Sequence, residues 1–456
     1  KYSVSRSVFC YIVNDPHPNI EEVVTAISAE MKRLIALDIP FTRITTTTSE
    51  AKQFYLEQQY QDRIDILEYR PDKNVHFYQC GDYKNYMYSY MVPSTGYLSK
   101  FNMFPFDIGF LIQYPRSETN QAIPKYQAAP KYIDTLRKAS VWASIVEADT
   151  IANLNAHARQ KDVVDFVHMC EAKHNAMLTE LGDMIALHKH QIRLIAIAGP
   201  SSSGKTTFSN RLRIELMTRG LRPIRISLDD YYLDRDSIPL EPDGSVDLEH
   251  IHALDVELFN QNMMDLIAGK KVELPVFDFG LKKRGSFRTL QVTEDNPIII
   301  EGIHALNELL TASIPQKNKY KIFISPQLQM NLDDHNPLSI TNLRLLRRIV
   351  RDKKFRNASA LRTINMWQSV RRGEFRWIYP GQEQADYVYN SGLQYELCVM
   401  KKYALPTLLE VPDDSEHYIT ANRLIKFIKY FVDIDDSYVP CNSLLREFIG
   451  GSCFQE

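Results

Sequence analysis

"GPSSSGKTT" runs from Gly199 to Thr207, near the middle of a chain of 456 residues. A glycine, four residues, a second glycine, a lysine and a threonine make the spacing that a phosphate-binding loop requires. The "RLIAIA" before it reads as a short buried strand. The "FSNRLRIELMTRG" after it reads as a helix with Phe208, Leu212 and Leu216 on its buried face and Gly220 as its C-cap. Glycines let the backbone turn so that several N–H groups point at phosphate oxygens, and the helix adds the positive end of its dipole. The expected phosphate-binding residues are Gly199, Ser201, Ser202, Ser203, Gly204, Lys205, Thr206 and Thr207. In such a loop the lysine, Lys205, reaches the β- and γ-phosphates, and the hydroxyl of Thr206 sits on Mg2+. ATP and Mg2+ are therefore the expected cofactors. A chance glycine-rich turn is the plain alternative; the agreement of strand, loop and helix argues against it.

On either side, "RLIAIAG", "RPIRISL" and "NPIIIEG" are short apolar strands separated by long helical stretches, which predicts a parallel sheet covered on both faces. Glu301 ends the third strand, where ligands bind in such sheets, and is the expected second holder of Mg2+ beside Thr206. A solvated glutamate is the plain reading of Glu301 taken alone. "RISLDDYYLDRD" brings Asp229 and Asp230 to the end of the second strand. Phosphoryl transfer to an alcohol needs a carboxylate that positions the hydroxyl and takes its proton; paired aspartates also start turns or cap helices. Asp229 and Lys205 are the expected catalytic pair. "NLRLLRRIVRDKKFR" places Arg344, Arg347, Arg348 and Arg351 on one helix, read here as a lid that clamps phosphates and excludes water, with a solvated or nucleic-acid-binding face as the alternative.

The composition is that of a globular protein, 44% hydrophobic and 24% charged, with a formal net charge of -2. That charge argues against a general polyanion-coating protein, so a nucleic-acid partner is not expected. Six scattered cysteines without a CxxC pair read as free thiols of a reducing compartment, and the expected location is the cytoplasm. No apolar run is long enough to span a bilayer. The chain begins at Lys1 inside a strand-like stretch and reads as a fragment; a homo-oligomer is left open.

Four segments are expected: an α+β domain over 1–124, a helical connector over 125–190, an α/β domain over 191–432 and a C-terminal tail over 433–456 without readable chemistry. In the first, "SVFCYIV", "VHFYQC", "NYMYSYMV" and "IGFLIQY" read as strands, and Asn19 with Glu22 as the capped start of a helix.

"GPSSSGKTT", "SLDDYY", "FDFGLKKR", "IIIEGIHAL" and "RLLRRIVRD" occur in the order found in the uridine kinase and phosphoribulokinase family, which this chain resembles from about residue 191 to 430. The resemblance implies a doubly wound P-loop fold that transfers the γ-phosphate of ATP to a primary alcohol. It makes Asp229 the catalytic aspartate, Tyr232 the aromatic residue beside the nucleoside, and Glu249 the counterpart of an aspartate that holds ribose hydroxyls. Arg284 matches the arginine after the family's "YDF" motif, and Arg344 joins the substrate set, while Arg347 and Arg351 are assigned to the phosphates. Uridine kinases carry Tyr and His, contacting the pyrimidine, where this chain has Phe277 and Lys282. Phe277 lacks the hydroxyl and Lys282 brings a charge with no acceptor, which places base specificity in question.

"QCGDYKNYMYSYMVPSTGYLSKF" resembles the second additional, editing-type domain of threonyl-tRNA synthetases. Met87 and Met91 stand where those enzymes carry a Cys and a His. Methionine is neither acid nor base and binds hard or borderline metals poorly, so neither hydrolysis nor zinc is expected there. The alternating Tyr86, Tyr88 and Tyr90 read as core, or as a face that stacks a ligand or RNA. The function expected is an ATP-dependent kinase acting on the 5'-hydroxyl of a nucleoside. The alternatives are an RNA- or tRNA-related binding protein with the P-loop as sensor, and a kinase for another small alcohol such as a sugar phosphate or pantothenate.

Overall fold

In the computed structural model, the residues described are 2–4, 7–11, 19–87, 90–234, 237–238, 247, 249–278, 281, 283–293, 295–334 and 336–454. Five parallel strands form the central sheet: β1 (Leu194–Ala198), β2 (Ile224–Ser227), β3 (Ile298–Glu301), β4 (Lys319–Ser325) and β5 (Tyr387–Asn390), in the order β5-β4-β1-β3-β2. β1 and β2 are consecutive in the chain, yet β3 lies between them, pairing Ile298 with both Leu194 and Ile224. The strand order therefore reverses beside β1, which opens a crevice at the carboxyl ends of β1 and β3.

Side chains alternate along each strand, so the sheet makes two cores. Leu194, Ala196, Ile298, Ile300 and Phe323 pack with Phe259, Met263 and Leu266 of the helix Val256–Ile267. Ile195, Ile197, Ile299 and Ile324 pack on the opposite face with Phe208, Leu212 and Leu216 of α1 (Lys205–Met217). The same face receives Leu178, Leu181 and Ile185 from the long helix Val163–Ala186.

The front of the chain is α+β. Tyr2–Val4, Ser7–Tyr11, Gly109–Gln113 and Asn102–Phe106 form an antiparallel sheet in that order, and Thr42–Thr47, Asn74–Cys80 and Tyr83–Tyr86 form a second. Asn19 caps the helix Ile20–Ala36 by accepting the N–H of Glu22. The strand expected through "NYMYSYMV" ends at Tyr86, and Tyr88 lies outside the described residues. The three-stranded half shares one apolar core with the C-terminal helices: Tyr55, Ile66 and Phe77 belong to the same cluster as Leu343, Ile349 and Phe427.

A helix α2 (Ile340–Arg356) runs through that core, with Leu343, Leu345, Leu346, Ile349 and Val350 buried. The lid expected from its arginines is thereby corrected. A helix enclosed on nearly every side over 342–350 is a fixed support; Arg344, Arg347 and Arg348 are buried with it, while Arg351 is half-buried and Arg356 is exposed.

Candidate active site

The loop between β1 and α1 has the backbone that its sequence demands. A Cβ on Gly199 would run into the Ile324 carbonyl oxygen of β4, and Gly204 turns the chain into α1 at φ +89°. Both positions require glycine, one for space and one for conformation. Ser202 also adopts a left-handed φ of +60°, and the hydroxyls of Ser202 and Ser203 are buried without a hydrogen-bond partner among the described residues. A loop holding buried unpaired donors above a helix N-terminus is built to receive oxygen acceptors.

Two buried arginines brace this loop from below. Arg344, 1% exposed, donates through Nε to the Ser201 carbonyl at 3.0 Å and pairs with Glu374. Its guanidinium is pulled down to about 10 by burial. Arg347, fully buried, donates to the Ser202 carbonyl at 3.3 Å and to Glu396 at 2.6 Å. Neither reaches the crevice, so Arg344 does not stand where a substrate contact requires it, nor Arg347 where a phosphate contact does. Their ion-pair partners come from later in the chain and absorb both charges. Arg348 donates to the Ser201 hydroxyl at 2.7 Å, and Arg351, half-buried against Asp352, is the member of the set whose charge acts on Lys205 and Asp229.

Around the loop the expected reactive groups converge. Lys205 Nζ donates to the Gly199 carbonyl at 3.1 Å; burial lowers its pKa, against the opposing fields of Glu301, Glu447 and Asp229. The Thr206 hydroxyl donates to Glu301 Oε1 at 3.4 Å. Glu301 is 7% exposed, and burial together with the nearby charge of Asp229 pushes it up to about 7. These are hard oxygen donors, one of them a buried carboxylate whose nearest cation partner, Arg225, stands 3.9 Å away. They fit Mg2+ of the kind held by one carboxylate, a hydroxyl and substrate phosphates; no cluster of three or more protein ligands occurs among the described residues.

β2 stops at Ser227, and residues Leu228–Tyr231 make a 3-10 turn. The turn, rather than strand alternation, separates the two aspartates. Asp230 accepts the N–H of Phe277 at 3.4 Å and faces Arg288 at 4.0 Å. Asp229 keeps contact with solvent at the crevice, yet protein crowds round it: burial raises its carboxyl, opposed by Lys205, Arg356 and Arg351.

Glu249 stands in the same field. Burial, with Asp247 and Asp229 adding to it, pushes it up to about 7 against Arg348 and Lys205. Its backbone is held by His304, whose Nε2–H donates to the Glu249 carbonyl at 3.0 Å; burial keeps His304 neutral by lowering it to about 4. Tyr232 lies near Asp229 and Glu249, with its ring 6.0 Å from Phe277 of the hairpin Val272–Asp278 and Lys283–Leu290. Arg284 turns away from this group, donating to Asp255 at 3.0 Å and to the Tyr231 carbonyl at 3.3 Å, where it secures the turn that carries Asp229. Lys282 lies outside the described residues.

One participant was invisible in the sequence. Glu447, from the segment expected to be an inert tail, accepts the Thr207 N–H at 3.0 Å, and Leu444 packs against Gly204. Nothing in "NSLLREFIG" signals this, because the contact joins residues 240 apart.

Phosphate loop, strand-end carboxylate and facing aspartate on a five-stranded parallel sheet define a P-loop phosphotransferase acting on an alcohol. Comparison with known proteins agrees. The phosphoribulokinase / uridine kinase family profile matches residues 194–396. Uridine kinase of Staphylococcus epidermidis is 30% identical over 204 residues, covering 44% of this chain and 89% of the relative. Uridine kinase of Staphylococcus aureus is 30% identical over 200 residues, covering 44% and 87%. The chain belongs to the phosphoribulokinase / uridine kinase family. Among solved structures, D-glycerate 3-kinase from Cryptococcus neoformans overlaps 56% of this chain and 88% of its own at 16% identity, with a TM-score of 0.27. No helix among the described residues is long and apolar enough to cross a membrane.

Proposed function

We propose that the protein transfers the γ-phosphate of ATP to the 5'-hydroxyl of a nucleoside. The observation that carries this reading is the phosphate loop whose Thr206 hydroxyl donates to Glu301 at 3.4 Å, with Asp229 in the turn that follows β2 and within the field of Lys205. In the proposed reaction, the N–H groups of the loop and Lys205 hold the phosphates, while Asp229 positions the acceptor hydroxyl and takes its proton. The hydroxyl oxygen forms a bond to the γ-phosphorus as the bond to the β-phosphate oxygen breaks, and ADP leaves. Thr206 and Glu301 would hold Mg2+, which neutralises charge developing on the β- and γ-phosphate oxygens.

Tyr232 and Phe277 supply flat apolar walls for a ring, and Glu249 supplies a carboxylate for ribose hydroxyls. Phe277 cannot donate a hydrogen bond to a base edge, which favours a loosely read base. A panel of nucleosides, ribose derivatives and pantothenate, scored by acceptor-dependent ADP release, tests the assignment; turnover of pantothenate or a sugar phosphate, with nucleosides inert, overturns it. We assign residues 1–124 to an editing-like domain that has lost its hydrolytic chemistry. The core it shares with the kinase helices supports a role in shaping the kinase rather than in separate catalysis.

A further inference from the structure

Away from the crevice, a cavity of about 240 Å3 lies between the sheet Thr42–Thr47, Asn74–Cys80 and Tyr83–Tyr86 and the helix Tyr418–Ile428. None of its walls comes from the phosphate loop. Four cations face it, Arg43, Arg70, Lys426 and Lys429, against one acid, Asp72. Asp72 lies 3.7 Å from Arg70; among the described residues no carboxylate pairs with Arg43, Lys426 or Lys429. In a chain whose net charge is -2, this is a local excess of positive charge in a concave site.

Two of these cations, Arg70 and Lys426, are held in place. Arg70 donates to the Asn74 carbonyl at 2.9 Å and to the hydroxyls of Tyr86 and Tyr430 at 2.9 and 3.1 Å. Lys426 lies 4.9 Å from the ring centre of Tyr90, whose hydroxyl accepts from Asn422 at 3.1 Å. His76, fixed to Thr45 at 3.0 Å, reports the field of the site: burial lowers its pKa, and Arg43, Arg70 and Lys426 lower it further. Tyr78, half-buried, and Tyr90, exposed, add their rings to the lining.

An excess of positive charge, part of it fixed in place, beside aromatic rings is what a phosphate attached to a flat ring requires. We infer that this cavity is a binding site for a free mononucleotide, with the phosphate on Arg43, Arg70, Lys426 and Lys429 and the ring against Tyr78 and Tyr90. The inference is independent of the kinase reading, since no residue is common to both sites.

The test uses the full chain carrying Lys205→Ala, so that binding at the phosphate loop is weakened. Equilibrium dialysis with AMP and UMP, and with adenosine and uridine as controls, measures the remaining site. The expected result is saturable binding of a monophosphate, at least tenfold tighter than its nucleoside, and at least tenfold weaker in Arg43→Ser/Lys426→Ser. In the Lys205 background-free protein, that double variant should keep its phosphoryl-transfer rate within about twofold. Photolabelling with 8-azido-AMP, mapped by mass spectrometry, reads the site without any substitution and should mark Tyr78 or Tyr90. Equal binding by the double variant, equal binding of nucleoside and nucleotide, labelling confined to the phosphate loop, or binding of single-stranded RNA with none of AMP or UMP would each overturn the inference.

Discussion

The carboxylate of Glu447 accepts the backbone N–H of Thr207 at 3.0 Å. Thr207 lies in the first turn of α1, whose N–H groups have no partner within the helix and carry partial positive charge. Glu447 therefore sits as an anion where an anion is most stable, at a donor expected to serve a phosphate. A nucleotide that uses this N–H must displace the carboxylate or lie against its charge. Glu447→Gln should lower KM for ATP about twofold to fivefold, the equivalent of about 0.3–1 kcal/mol for one charge at a helix terminus. Initial rates across ATP concentrations check this; a raised KM would show that Glu447 assists nucleotide binding.

Lys205→Ala should leave the fold intact, because among the described residues its ammonium bonds only the loop carbonyls of Gly199 and Pro200. Turnover should fall by a factor equivalent to several kcal/mol of barrier, the usual cost of removing a charge contact to a transferring group. Circular dichroism and single-turnover transfer separate the two effects. A folded Lys205→Ala protein with an unchanged rate would remove the basis for the kinase assignment.

Asp229 and Asp230 should differ sharply. Asp229→Asn should keep nucleotide affinity and lose turnover by about two to four orders of magnitude, the range for a positioned general base. Asp230→Asn loosens a contact to the Phe277 N–H and to Arg288, so its effect should fall on acceptor KM and stay below about tenfold. The reverse pattern would move the acceptor site to the hairpin.

Glu301 and Glu249 sit near 7, well above an ordinary glutamate, so the folded protein holds their protons more tightly than the unfolded chain. Between about pH 4.5 and 7 the unfolded chain has released these protons and the folded protein has not. Their contribution to stability is thus present at low pH and is lost as pH rises through 7. His174 and His304, lowered to about 3 and about 4, act in the opposite sense: their contribution is lost as pH falls below the ordinary histidine range. The difference between wild type and Glu301→Gln isolates the glutamate: the variant should lose the part of the decline in Tm between pH 5 and pH 7 that Glu301 causes. Mg2+ with nucleotide should release a proton near pH 7 in the wild type and less in the variant, measured calorimetrically in buffers of different ionisation enthalpy.

Arg347→Ala leaves Glu396 buried and unpaired and should cost about 3–5 kcal/mol of stability, seen as a marked fall in Tm. Arg347→Ala/Glu396→Leu should recover part of it. Arg351→Ala, half-buried beside Asp352, should barely move Tm and should instead slow transfer through its charge near Lys205 and Asp229. Equal Tm for the two single variants would contradict the division between bracing and cleft-facing arginines.

The features that the sequence by itself determined are those whose cause is local. Gly199, Gly204 and Lys205 stand at the spacing one turn of backbone demands, and the apolar runs ending at Ser227 and Glu301 put Asp229 and Glu301 beside that loop once the strands are parallel. The tertiary structure alone decided which arginines face the crevice. Helical spacing spreads Arg344, Arg347, Arg348 and Arg351 round α2, and their direction is set by partners such as Glu374 and Glu396, 30 and 49 residues further on. It also decided that Phe77 and Phe427 share a core, that Lys426 and Arg43 line one cavity, and that Glu447 reaches Thr207. A periodicity records which face of an element is apolar; it holds no record of which distant segment covers that face, because burial is settled by packing the whole chain at once.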